Sequence, residues 1–170
     1  MAQNVFGITG WKNSGKTTLT ERLVRELARR GRSVSTVKHA HHDFDIDQQG
    51  TDSFRHRAAG AGEVAIVSGR RWALMHELRG EDEPRLEEIL ARLAPCDLVL
   101  VEGYKREPHR KIECRRTGAK DTAALSARDP GIVAVAADHP QPAETLPVFA
   151  LDDIGAIADF IERTFGFSRA

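Results

Sequence analysis

Gly10-Trp11-Lys12-Asn13-Ser14-Gly15-Lys16-Thr17 fits the pattern G-x-x-x-x-G-K-[ST] at every fixed position. Upstream, Asn4-Val5-Phe6-Gly7-Ile8-Thr9 is a short apolar run suited to a buried strand, and downstream Leu19, Leu23, Val24, Leu27 and Ala28 recur at helical spacing. The stretch therefore reads strand, loop, helix, the setting that a phosphate-binding loop requires. Glycines at 10 and 15 let the backbone turn tightly and aim N–H groups at phosphate oxygens, while the helix start adds a positive dipole end. Lys16 then reaches the β- and γ-phosphates, and the Thr17 hydroxyl is placed to ligate Mg²⁺. Gly10, Trp11, Lys12, Asn13, Ser14, Gly15, Lys16, Thr17 and Thr18 form the expected nucleotide-binding set.

Working outward, helix one runs from about Lys16 to Arg30 and stops at Gly31, and the β-branched run Ser33–Lys38 makes a second strand parallel to the first. The loop His39–Gly50 is dense in imidazole and carboxylate groups. It reads as a source of a Mg²⁺ carboxylate, Asp43; as a transition-metal site of His39, His41, His42 and Asp43; or as a solvated polar loop. Thr51 is the expected cap of a short helix through about Ala59. Glu63–Ser68 and Arg71–Leu78 flank a turn at Gly69-Arg70 and predict a hairpin, and Pro84 to Leu93 predicts a helix with Leu86, Ile89, Leu90 and Leu93 on one face. Hairpin residues Trp72, Leu74, His76 and Leu78 share one side and Ala73, Met75 and Glu77 the other, a two-sided apolar pattern expected to help build a homodimer.

Asp97–Lys105 is the second chemical landmark. Leu98-Val99-Leu100-Val101 suggests a strand covered on both faces, so Glu102 at its carboxyl end would emerge beside the phosphates, holding Mg²⁺ through water or orienting the attacking water. Lys16 and Glu102 are thus the expected catalytic groups, and Thr17, Asp43 and Glu102 the expected metal ligands. Lys111–Arg116 alternates apolar and charged residues, the pattern of a half-buried or edge strand. Ile132–Ala137 is a further buried strand ending at Asp138, which could accept from a guanine edge, although no N-K-x-D base motif is present. Leu146–Phe149 offers a last short strand, and Ile154, Ile157, Ala158, Ile161 and Phe165 line a closing helix capped near Asp152 or Asp153.

At 170 residues, with 41% hydrophobic and 29% charged content, the chain is expected to form one nucleotide-binding domain over residues 1–170. Lys+Arg and Asp+Glu balance at 25 each, so no global field favours nucleic acid or an anionic membrane. Cys96 and Cys114 lack metal-like spacing and read as reduced thiols, and no apolar run approaches the roughly 20 residues that span a bilayer, so a soluble cytoplasmic protein is expected. The fold class expected is α/β: a three-layer P-loop NTPase fold with a mostly parallel sheet and an added β-hairpin.

One ordered set of segments is more specific than the phosphate loop. Phe6–Trp11, Thr36-Val37-Lys38-His39, His42–Asp47, Asp52-Ser53, Arg55-His56-Arg57, Ala59-Gly60-Ala61 and Leu100–Lys105 together resemble the MobB family of molybdopterin-guanine dinucleotide biosynthesis adaptor proteins, from about residue 4 to 115. The resemblance implies a homodimeric GTP-binding protein with weak Mg²⁺-dependent hydrolysis, which assists the guanylyltransferase MobA in attaching GMP to molybdopterin. Lys12 stands two places after Gly10, so it is not equated with the signature lysine of the deviant phosphate loops. A small-molecule kinase moving a γ-phosphoryl group would use the same loop, with Arg70-Arg71 or Arg115-Arg116 as its lid, and a P-loop relic would bind nucleotide without turnover.

Overall fold

The structure, a computed structural model, describes residues 4–40 and 44–168. In chain order the elements are β1 (Val5–Gly10), α1 (Lys16–Arg29), β2 (Val34–Lys38), α2 (Asp52–Ala58), β3 (Glu63–Val67), β4 (Trp72–His76), α3 (Leu86–Leu90), β5 (Leu98–Glu102), β6 (Lys111–Arg115), β7 (Ile132–Ala137), β8 (Val148–Ala150) and α4 (Ile154–Thr164). They form two compact units: one from the chain up to His39 and from Leu90 onward, the other Ala40–Ile89.

The larger unit holds a six-stranded sheet in the order β2-β5-β1-β6-β7-β8, parallel at every pairing. Alternation along the strands decides which face meets the helices. Phe6, Ile8, Leu98, Leu100, Ile112, Cys114, Ala134 and Ala136, all even-numbered, form one core with Leu19, Leu23 and Leu27 of α1 and Ile157, Ala158 and Ile161 of α4. Each of those leucines is at most 1% exposed, and fully burying such a side chain contributes about 1.5–3 kcal/mol. Beyond the C-terminus of α1, Arg30 bonds Glu26, Asp159 and Glu162, and Arg32 bonds Glu162, tying that end to α4.

The half-buried or edge reading of β6 is overturned. It lies between β1 and β7, and Lys111 and Glu113 are 0% and 1% exposed. Its apolar residues do face the helices, but the opposite, charged face is also covered. There every charge meets a partner, because an unpaired buried ion would be too costly. The Lys111 ammonium donates to Asp129 Oδ2 at 2.8 Å and Glu107 O at 2.6 Å. Glu113 accepts from the backbone N–H groups of Leu125 and Ser126 and from Arg115, which also donates to Glu144, Ser126 and Gln141. Close packing on this face explains a glycine in β1: a Cβ at Gly7 would lie 2.5 Å from His109 Nε2 and 2.6 Å from the Lys111 side chain.

In the smaller unit Thr51 caps α2, accepting from the Phe54 N–H, and Arg57 is ion-paired with Asp45 and Asp47. β3 and β4 pair antiparallel, with Ala65 opposite Leu74 and Val67 opposite Trp72, as the hairpin reading requires. Val64 and Met75 are buried, while Val67 and Trp72 are 75% and 70% exposed. The helix expected to Leu93 stops at Leu90, where a turn from Leu93 N–H to Leu90 O replaces the next helical bond.

Candidate phosphate site

Three helix starts in the molecule are built differently. Asp153 caps α4, accepting from Ala156 N–H at 3.1 Å, and Thr51 caps α2 with Asp52 in its first turn. α1 begins at Gly15, in a left-handed conformation at φ 91°, with no side-chain cap and no acid in its first turn. Its first N–H groups are thus left for an external anion, and the macrodipole favours one there. The preceding loop is shaped for close approach. Asn13 is left-handed at φ 67°, and Gly10, at φ 141°, has Ser14 Oγ and the Cys114 carbonyl, 2.6 Å away, where a Cβ would sit. The buried hydroxyls of Thr9 and Ser14 have no hydrogen-bond partner.

Parallel register brings the chemistry to one edge of the sheet. Glu102 is level with Ile8 of β1 and Lys38 of β2, so the carboxyl ends of β5 and β2 open beside the loop that follows β1. Thr17 Oγ1 donates to Glu102 Oε1 at 2.8 Å, and the Glu102 carboxylate is largely buried. A hydroxyl and a carboxylate oxygen so close suit a hard cation such as Mg²⁺, so the residues present fit that ion. Lys16 donates to the carbonyls of Trp11 and Gly10 at 2.7 and 3.1 Å. Burial pushes its ammonium below the usual lysine value, with Lys105 and Lys38 adding like charge. Cys114, behind the loop, has its thiol pushed up to about 12 by burial and is inert at neutral pH.

Beside the loop lies a small, partly open cleft, lined by Trp11, Cys114, Arg116, Asp121, Ala123 and His139 among others. Trp11 joins its walls: the indole N–H donates to Ala123 O at 2.7 Å, and Lys105 sits 4.4 Å above its ring. Lys120 N–H donates to Lys12 O, a second tie between the phosphate loop and the segment after β6.

The structure places Glu102 beside the loop Gly10 to Thr18, through its contact with Thr17. Asp43, His41 and His42 lie outside the described residues, and among the described residues no group of three His, Cys, Asp or Glu side chains could hold a metal. Asp138 is engaged within the chain, accepting from Thr117 N–H, Thr117 Oγ1 and His139 Nδ1. Arg115 is held in its buried ion network, which removes it as a lid. Sequence reasoning missed Lys38, whose ammonium lies 3.4 Å from Glu102 Oε1, and the cleft beside Trp11. Lys38 carried one usable signal, a cation ending the strand next to that of Glu102.

Comparison with known proteins bears on what such a site serves. The sequence model of the family described as "Molybdopterin guanine dinucleotide synthesis protein B" matches residues 5–138. The chain is 38% identical over 161 residues to the molybdopterin-guanine dinucleotide biosynthesis adapter protein of Escherichia coli K12, covering 92% of this chain and 90% of that one. It is 40% identical over 162 residues to the Haemophilus influenzae protein of the same description, covering 94% and 88%. Among solved structures, a MobB protein homolog from Bacillus stearothermophilus superposes with a TM-score of 0.72 at 33% identity, covering 95% of this chain and 97% of that one. Bacillus subtilis MobB superposes with a TM-score of 0.74 at 27% identity, covering 94% and 96%.

Proposed function

This chain belongs to the molybdopterin guanine dinucleotide synthesis protein B family, and we propose that it is a GTP-binding adapter that assists the attachment of GMP to molybdopterin. The observation that carries the nucleotide half of this reading is the uncapped start of α1, where Lys16 and the Thr17–Glu102 pair converge on one anion site. The β- and γ-phosphates occupy the Gly10–Thr17 loop, and Lys16 leaves the Trp11 and Gly10 carbonyls to meet them. Thr17 and Glu102 would hold Mg²⁺, which would supply charge neutralisation to the phosphates. Glu102 either holds that ion through water or orients the attacking water in a slow hydrolysis. The base takes the cleft beside Trp11; guanine is inferred from the family and not from a base motif.

The larger unit and the hairpin unit serve one nucleotide-binding domain, and the chain acts in the cytoplasm as a homodimer beside a MobA-type guanylyltransferase. Family membership supports the MobA assignment, and exposed Val67, Trp72 and Leu74 support self-association through the hairpin. The test is Lys16→Ala. Its removal costs the site a charge-assisted hydrogen bond, about 1.5–3 kcal/mol, and no core contact. Calorimetry is expected to show GTP binding weakened at least tenfold in a variant with native circular dichroism, consistent with that cost. Unchanged GTP affinity, or equal displacement of a fluorescent GTP analogue by GTP and ATP, overturns the assignment.

A further inference from the structure

Lys38 supplies a cation that the phosphate-loop pattern does not include. It ends β2 in register with Glu102 at the end of β5. Its ammonium lies 3.4 Å from Glu102 Oε1 and 3.5 Å from Thr17 Oγ1, while Thr17 donates to that same Oε1 at 2.8 Å. The Glu102 side chain is 10% exposed and that of Lys38 is 59%, so the acid is fixed and its cation has room to swing. Lys16 is turned instead onto the loop carbonyls.

Resting on the nucleotide reading above, we propose that Lys38 is a movable counter-cation of this site. Without nucleotide it neutralises Glu102 and occupies the oxygens that a divalent cation needs. With a nucleoside triphosphate it moves to the terminal phosphate. The first half follows from charge: Glu102 Oε1 cannot hold an ammonium and a divalent cation together without pressing like charges against each other in a partly buried setting. The second follows from reach. The Thr17 hydroxyl belongs beside the β- and γ-phosphates, so a lysine 3.5 Å from it is one side-chain rotation from the γ-phosphate. A compact charge with three donors on a four-carbon stem suits such an exchange. Lys38 thereby links metal entry to triphosphate binding and discriminates triphosphate from diphosphate.

The experiment uses the full chain with Lys38→Met, which keeps most of the stem and loses the charge, and Lys38→Arg, which keeps the charge. GTP and GDP affinities are measured by calorimetry with Mg²⁺, and Mn²⁺ binding without nucleotide by electron paramagnetic resonance. Lys38→Met is expected to weaken GTP about tenfold, while GDP, lacking the group to be met, stays within about twofold. Mn²⁺ alone is expected to bind the same variant about tenfold more tightly than wild type. Lys38→Arg is expected to keep the wild-type ratio of GTP to GDP affinity. Equal weakening of GTP and GDP in Lys38→Met, or unaltered Mn²⁺ affinity, overturns the role of Lys38. Lys16→Ala in parallel separates the two readings: if it loses both nucleotides, the phosphate-loop reading stands whatever Lys38 does, and if it loses neither, that reading falls and takes this one with it.

Discussion

β6 and the β3–β4 hairpin invert the usual placement of residues. β6 buries Lys111 and Glu113, while the hairpin leaves Val67, Trp72 and Leu74 in solvent. The difference is one of partners. On β6 the charges meet Asp129, Arg115 and two backbone N–H groups, so burial leaves no ion uncompensated. On the hairpin, the side carrying Ala65, Leu74, Val67 and Trp72 has cross-strand neighbours but, among the described residues, little cover from its own unit, and apolar area stays wet. At these two places burial follows whether a partner is present more closely than it follows hydrophobicity.

Removing a partner on the β6 side should have the largest effect. Among the described residues Asp129→Ala leaves the Lys111 ammonium, 0% exposed, with only the Glu107 carbonyl, and breaking a buried pair from one side costs about 3–5 kcal/mol. Urea denaturation followed by circular dichroism checks this. The double variant Lys111→Met with Asp129→Leu removes both charges and is expected to recover most of that loss, since an apolar pair of similar volume often does as well. If the single variant is as stable as wild type, the cover over β6 is not held by its ion pairs.

A smaller effect is expected with pH on the same face. His109, its ring nitrogens buried without partners and close to Gly7, has its imidazole pushed down to about 4 by burial and by Lys111. Its ordinary value is 6.5, so between these limits the unfolded chain binds a proton that the folded chain refuses. Stability from the neutral ring is therefore present above pH 6.5 and is lost as pH falls toward 4. Thermal midpoints measured across that window should fall with acidity in wild type and fall less in His109→Gln. An equal slope in both would place the acid sensitivity elsewhere.

These contrasts also mark what the sequence made legible. The loop Gly10–Thr17 was readable because its signal is local: eight consecutive residues carry both the turn and the groups proposed to meet phosphate. Glu102 was readable because its four preceding apolar residues announce a central strand. The hairpin and the caps Thr51 and Asp153 were short-range signals of the same kind. β6 was misread because alternation reports two unlike faces and cannot report that Asp129 and Glu144, 18 and 29 residues further on, will cover the charged one. Lys38 was missed because its meaning lies in register with Glu102, 64 residues distant by number, across a crossover. Asp138 looked available for a base because Thr117, its partner, comes from another strand's end.

The smallest effect on the folded chain, and the sharpest test of the hairpin side, is Leu74→Lys. Leu74 faces Ala65 across the ladder and is 46% exposed, so a lysine there can carry its ammonium into water and leave its stem on the sheet. Stability of the separated chain should change by no more than about 0.5 kcal/mol, as for other exposed positions. Self-association should respond quite differently, because in a dimer closed by two-fold symmetry the same substitution enters the contact twice. Each copy would set a charge among Val67, Trp72 and their counterparts, where the acid on that side, Glu63, is already engaged by His76. Sedimentation at micromolar concentration is expected to show a dimer for wild type and a monomer for Leu74→Lys, with circular dichroism unchanged. If the variant stays dimeric, the hairpin's exposed apolar side is not the contact, and its partner must be sought elsewhere.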